Sequence, residues 1–112
     1  MIIKNISKKT AIATEAKIAD NFITRLKGLL GSDHLEEGRA LIIRPCNGVH
    51  TIGMNYSIDV IFIDKNDKVI KIVVDMPSRK ISTCSNASYV IETPSGVVSM
   101  TNTTIGDIIS IL

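Results

Sequence analysis

Three side chains that could bind a soft metal stand at equal spacing in the middle of the chain. Cys46, His50 and Met54 form C-x3-H-x3-M. Thiolate, imidazole and thioether are the ligand types of a blue-copper site, which takes its second imidazole from elsewhere. The other histidine is His34. If 49–54 is extended, His50 and Met54 share a face but stand roughly 13 Å apart, at about 3.3 Å per residue. A joint ligand set therefore needs a tight loop, which Gly48 and Gly53 would permit. Otherwise Met54 and Cys46 are core-filling apolar residues.

The same stretch offers two catalytic readings. His50 with Asp59 or Glu92 could form an acid–base pair for hydrolysis, the carboxylate fixing the imidazole tautomer. Asp59 lies among the apolar residues Ile58, Val60 and Ile61, where an ionised carboxylate costs several kcal/mol unless it has partners. Arg25, Arg44, His50 and Thr51 are the candidate partners. With such a partner, Asp59 and Glu92 would anchor a loop or a helix, and that structural reading is favoured. Cys46 as a nucleophile beside His50 requires a bend, since residues four apart on a strand do not meet. Cys84 has no neighbouring histidine in sequence and is read as incidental.

The third reading is non-catalytic. The loop from Pro45 to Met54 and a helix carrying Arg25 and Lys27 would form a polar-lipped pocket for a small molecule or a peptide. Its expected ligand-binding residues are Arg25, Lys27, Cys46, Asn47, His50, Thr51 and Met54. This reading is preferred because polar and soft side chains concentrate there, in a chain otherwise built of strand-forming residues. No cofactor is implied by any fingerprint: P-loop, dinucleotide, H-E-x-x-H and paired C-x-x-C motifs are all missing from the sequence.

The elements that must position these residues follow from pattern and composition. Twenty isoleucines, eight valines and nine threonines make a third of the 112 residues β-branched, which favours sheet over helix. Short strands are expected at 2–6 and 11–17. In the second, neither Ile12, Thr14 and Ala16 nor Ala11, Ala13 and Glu15 make a clear apolar face. Ile18, Phe22, Leu26 and Leu29 or Leu30 recur at helical spacing, with Asp20 as N-cap and Gly31 just past the end. Strands follow at 40–43, 58–64 and 69–75, the last two joined by the turn Lys65-Asn66-Asp67-Lys68. In the first of that pair Ile58, Val60 and Phe62 face one way and Asp59, Ile61 and Ile63 the other. Residues 80–88 read as a polar surface loop. Strands are expected again at 89–93, 97–100 and 108–112. The sum is a single domain, 1–112, mainly β (α+β): a compact antiparallel barrel- or sandwich-like sheet with one amphipathic helix.

Charge and composition narrow the partners. A net charge of +2, dispersed basic residues and four aromatics with no tryptophan leave no footprint for nucleic acid. No apolar run reaches membrane-spanning length and the first residues lack a signal-peptide core. A cytoplasmic protein with reduced cysteines and no membrane partner is expected.

Taken together, the motifs also carry a resemblance. Pro45-Cys46-Asn47-Gly48-Val49-His50-Thr51-Ile52-Gly53-Met54, followed by Ile58-Asp59-Val60-Ile61-Phe62, resembles the signature of domain-of-unknown-function family 192. Phe22-Ile23-Thr24-Arg25-Leu26-Lys27-Gly28-Leu29 is similar to its F-x-x-R-x-x-G-L element. Glu92-Thr93-Pro94-Ser95-Gly96 is similar to its E-x-P-x-G element, and Gly106-Asp107 to its terminal G-D. Thr93 and Ser95 depart from the leucine and alanine expected there. The resemblance spans nearly the whole chain and implies a compact, mainly β fold with one helix. It implies no reaction, cofactor or substrate.

Overall fold

The fold is built on a five-stranded sheet whose two faces are both apolar. A computed structural model describes residues 1–19 and 35–112. Its strands are β1 (Ile3–Asn5), β2 (Thr10–Ala13), β3 (Glu15–Ala19), β4 (Arg39–Ile43), β5 (Gly48–His50), β6 (Ile58–Ile63), β7 (Val69–Met76), β8 (Ile81–Thr83), β9 (Tyr89–Pro94) and β10 (Ile109–Ile111). A single helical turn, α1, spans Val97–Met100. The central sheet has the order β3-β4-β9-β6-β7. β10-β1-β2 form a second sheet and β5-β8 a two-stranded ribbon.

Alternation sets the layers. Ala40 and Ile42 of β4, Ile61 and Ile63 of β6, and Tyr89 and Ile91 of β9 share one core with Ile3, Ile12 and Ile109. Leu41, Ile43, Val60, Phe62 and Val90 share another with Val49 and Met54. Since neighbours along a strand point to opposite faces, the first core lies between the central sheet and β10-β1-β2. The second lies between the central sheet and the β5-β8 ribbon. All six residues of β6 are buried, as the run of apolar residues on both faces predicts. The architecture is sandwich-like, and among the described residues no sheet closes into a barrel.

Four expectations need correction. The stretch 11–17 is two strands, because the chain changes sheet at Thr14: the amides of Thr14 and Glu15 both donate to Gly38 O, each at 2.9 Å. That switch is why neither face of the segment was consistently apolar. β3 then pairs with β4 in parallel, the exception to an otherwise antiparallel arrangement among the described residues. Parallel neighbours need a crossover of about a dozen residues or more, and 20–38 is long enough. Ile18, expected to open the helix, belongs to β3. The rest of the expected helix, with Asp20, Arg25, Lys27 and Gly31, and also His34, lies outside the described residues.

The third correction concerns 97–100, which is helical rather than extended. Gly96 at φ +99° turns the chain, and only Val98 of the four residues is buried. The fourth is β8, inside the expected polar loop. Its Ile81 is 70% exposed, so no apolar pattern marks it; its regularity comes from pairing with β5. Among the described residues no helix is long and apolar enough to cross a membrane.

Polar side chains lock the periphery. Asp64 Oδ1 accepts from the amides of Asn66 (2.8 Å) and Lys68 (3.1 Å), shaping the β6–β7 turn. Tyr89 donates to Asp67 Oδ1 at 2.7 Å, and burial followed by this bond pushes its phenol pKa up. Asp107 joins the two chain ends to one another. It accepts from Asn5 Nδ2 at 2.9 Å, from Lys8 Nζ at 2.8 and 2.9 Å, and from the Thr104 amide at 2.9 Å. Burial alone would push the Asp107 carboxyl up; the donors Asn5, Lys8 and Thr104 outweigh it and hold the pKa down to about 2.

A carboxyl depressed by folding stabilises the native state fully above its unfolded pKa, here 3.8, and that contribution is lost as pH falls toward about 2. Asp107→Asn is therefore expected to be less stable than wild type near neutrality, with the gap narrowing through this window. Urea titrations at a series of pH values measure it; a gap that stays constant down to the lower limit contradicts the assignment.

Candidate functional site

Asp59 faces the first core, on β6 between Ile58 and Val60, and is 1% exposed. Its partners are backbone amides rather than the side chains expected from sequence. Oδ1 accepts from the Asp75 amide at 2.8 Å. Oδ2 accepts from the amides of Gly96 (3.1 Å) and Val98 (3.0 Å). Each bond has a structural origin. Ile58 pairs with Met76 and Val60 with Val73, so Asp59 stands opposite the two residues Val74 and Asp75. That count is a β-bulge, which takes an amide out of the ladder; Asp75, at φ +52°, turns its amide to Asp59. At the other oxygen the carboxylate satisfies the first amides of α1, the task of an N-cap performed from a distant strand. Asp59 thus couples the β7 bulge to the Pro94-Ser95-Gly96 turn.

Glu92, on β9, is fully buried. It pairs with Leu41 on one side and Val60 on the other, both members of the second core. Cross-strand partners share a face, so Glu92 looks toward the β5-β8 ribbon while Asp59 looks away from it. The two carboxylates that the sequence offers to His50 therefore stand on opposite faces of one sheet.

The stretch around His50 divides by face. Val49 packs into the second core, and strand alternation turns His50 to the other face of β5, where it pairs with Ile81 of β8 and is half-buried, its Nδ1 shielded from solvent. A turn follows, in which the Met54 amide donates to Thr51 O at 3.1 Å with Gly53 at φ +90°. The segment bends, and the bend delivers Met54 into the core of Val49, Phe62 and Met76. Met54 and His50 thereby occupy different environments. Among the described residues no three His, Cys, Asp or Glu side chains gather as a metal site.

Thr51 is fully buried and acts as a clasp. Its hydroxyl donates to Pro77 O at 2.6 Å and accepts from the Lys80 amide at 3.0 Å. Its own amide donates to Lys80 O at 2.9 Å. It ties the β7–β8 connection to the end of β5.

Asn47 stands at the surface, and Cys46 is half-buried at the edge of the second core. The Cys46 amide donates to Ser88 O at 3.1 Å, and the Cys84 amide to Asn47 O at 2.8 Å. These bonds draw the Pro45–Asn47 segment against the end of the β8–β9 connection. Between them is a cleft of about 320 Å³ lined by Pro45, Cys46, Asn47, Ala87 and Ser88. The Cys46 thiol donates to Gly48 O at 3.1 Å. Ala87 and Ser88 were missed in the sequence; they sit in a polar stretch, and only the ladder register of β5 with β8 brings them here. Cys84 packs on the second core beside Ala87. Arg25 and Lys27 lie outside the described residues.

The fold is thus a mainly β sandwich with a small surface cleft at the end of its outer ribbon. The chain belongs to domain-of-unknown-function family 192, described as Uncharacterized ACR, which it matches over residues 3–111. Among curated relatives it is 35% identical over 112 residues to a UPF0127 protein of Pyrococcus abyssi, covering 95% of this chain and 93% of that protein. It is 32% identical over 110 residues to a UPF0127 protein of Pyrococcus furiosus, covering 92% and 91%. Solved structures share the fold. One, a protein of unknown function from Novosphingobium aromaticivorans, superposes with a TM-score of 0.81 at 16% identity over 98% of this chain and 82% of that one. Another, from Sinorhizobium meliloti and described as a candidate transcription regulator, gives 0.80 at 14% identity over 97% and 89%. At these identities the likeness speaks for fold alone.

Two substitutions test the roles assigned to Asp59 and Met54. Asp59→Ala removes the acceptor of three amides at once and should cost about 3 kcal/mol or more in urea unfolding, as expected for stranded donors of a buried charge-assisted network. A loss below about 1 kcal/mol would mean the three bonds are replaced by water. Met54→Leu conserves volume and should cost less than about 1.5 kcal/mol. After copper addition under reducing conditions and reoxidation, both proteins should stay colourless; a visible thiolate charge-transfer band in wild type but not in the variant would make Met54 a ligand.

Proposed function

We propose that this chain is a small-ligand binding module, with its site in the cleft between Pro45–Asn47 and Ala87–Ser88. The observation that carries the reading is the convergence of Cys46 and Asn47 on Ala87 and Ser88 in a cleft of about 320 Å³. That volume is at the lower end of the range typical of small-molecule sites and below what a peptide groove needs. Asn47 supplies both donor and acceptor groups, and Ser88 a hydroxyl that can act as either. The Cys46 sulfur and the Pro45 ring supply apolar contact. Such a lining suits a small, neutral or weakly anionic polar molecule.

Differential scanning fluorimetry against a panel of small polar metabolites tests the binding module. A ligand present at about 100 times its Kd stabilises by about 2.7 kcal/mol, or roughly 10 °C for a domain of this size. The shift should vanish in Asn47→Ala and Ser88→Ala, and the ligand should slow alkylation of Cys46. A panel that stabilises neither wild type nor variants, with alkylation of Cys46 unaffected, removes the proposal.

A further inference from the structure

On the opposite face of the central sheet, the Asp59 network presents a second carboxylate that folding does not use up. Asp75 occupies the bulge of β7, its amide fixed to Asp59 and its side chain exposed. Ser95 donates its hydroxyl to Asp75 Oδ1. Hydrogen bonds from Ser95 and then Ser57 hold the Asp75 carboxyl below its ordinary pKa, against a small opposing effect of burial. The group is therefore an anion at neutral pH, and its remaining lone pairs are directed to solvent.

That anion stands in a cleft of about 340 Å³ bounded by Val74, Ser95, Gly96 and Ser99, with Asp59 at its floor. Asp59 already spends its oxygens on the amides of Asp75, Gly96 and Val98. One exposed carboxylate, bonded to Ser95, therefore sits among hydroxyls. The wall opposite is Val74, an apolar side chain 58% exposed. A second cleft, of about 580 Å³, shares Val74 and Ser99 with the first and continues toward Asn102, Thr103 and Thr104. Its one cation, Lys8, is held by Asp107 and by Thr104 Oγ1. The charge along this groove is consequently negative at Asp75 and near neutral beyond it, where amide and hydroxyl groups line the surface.

We propose that this groove is a binding site for a small amino-alcohol or amino-sugar, its ammonium on Asp75 and its hydroxyls on Ser99 and Asn102. A carboxylate flanked by hydroxyl oxygens offers an ammonium group acceptors in several directions, which suits its three donors. Val74 covers the carbon skeleton of a ring or short chain. Lys8, already neutralised, does not repel the ligand and does not attract an anion. The site is separate from the cleft at Cys46 and Asn47, on the other side of the sheet, and stands or falls independently of it.

Glucosamine is the probe, with glucose and N-acetylglucosamine as uncharged controls, titrated into 15N-labelled protein at slightly acidic pH. Glucosamine should shift the amide resonances of Val74, Ser95, Gly96 and Ser99, and the two controls should bind at least tenfold more weakly. Asp75→Asn, at an exposed side chain whose amide stays on Asp59, should fold normally and lose glucosamine binding by tenfold or more. Asn47→Ala should bind as wild type. Equal binding of glucose, unchanged affinity in Asp75→Asn, equal displacement by ammonium chloride, or no shift at these four residues overturns the proposal.

Discussion

A single buried carboxylate settles where three parts of this chain lie. Asp59 sits in the strand with the least access to water, in a sheet both of whose faces are apolar. A charge in that position is tolerated only with donors on its oxygens. The donors are amides that the surrounding backbone leaves without ladder or helical partners, at a bulge and at the start of a helical turn. The cost of burying the charge and the cost of those orphan amides offset one another. Neither the bulge nor α1 would be stable in its present form with a leucine at 59.

That coupling also gives a physical reading of the family signature. The carboxylate of the I-D-V-I-F stretch receives the amide of the glycine in the E-x-P-x-G element. Gly96 at φ +99° allows the turn that aims this amide. The terminal Gly106-Asp107 performs an analogous task at the chain ends, through Asn5, Lys8 and Thr104. Two of the motifs that could be taken for chemistry are therefore load paths of the fold. Their ligands are the protein's own backbone and flanking side chains.

The sequence showed what depends on alternation and little of what depends on pairing. The faces of β6 follow from apolar residues at every position with one carboxylate among them. The β6–β7 hairpin follows from Asp64 to Lys68, and Pro45 marks the end of β4. The β5-β8 ribbon did not follow, because it carries few core side chains and takes its form from backbone hydrogen bonds to a partner over thirty residues away. Val97 and Val98 are strand formers and point to a strand where α1 stands; tertiary capping by Asp59 outweighs that preference. Likewise, the partners of Asp59 were sought among side chains, since backbone donors leave no mark in a sequence.

The separation of Asp59 and Glu92 onto opposite faces changes how the central motif is to be understood. On a single strand map they are two carboxylates near one histidine. In the sheet, Asp59 pairs with Thr93, and Val60 with Glu92, so one residue of register decides which face each side chain takes. Thr51 and Met54 are likewise committed, one as a clasp on the β7–β8 connection and the other as core. Open to solvent within the motif are Ile52 and Gly53 in its turn and the first part, Pro45 to Asn47, brought against Ala87 and Ser88. The concentration of polar and soft residues that distinguishes 45–54 therefore has two causes. Part of it closes the ribbon over the second core, and part of it lines a cleft.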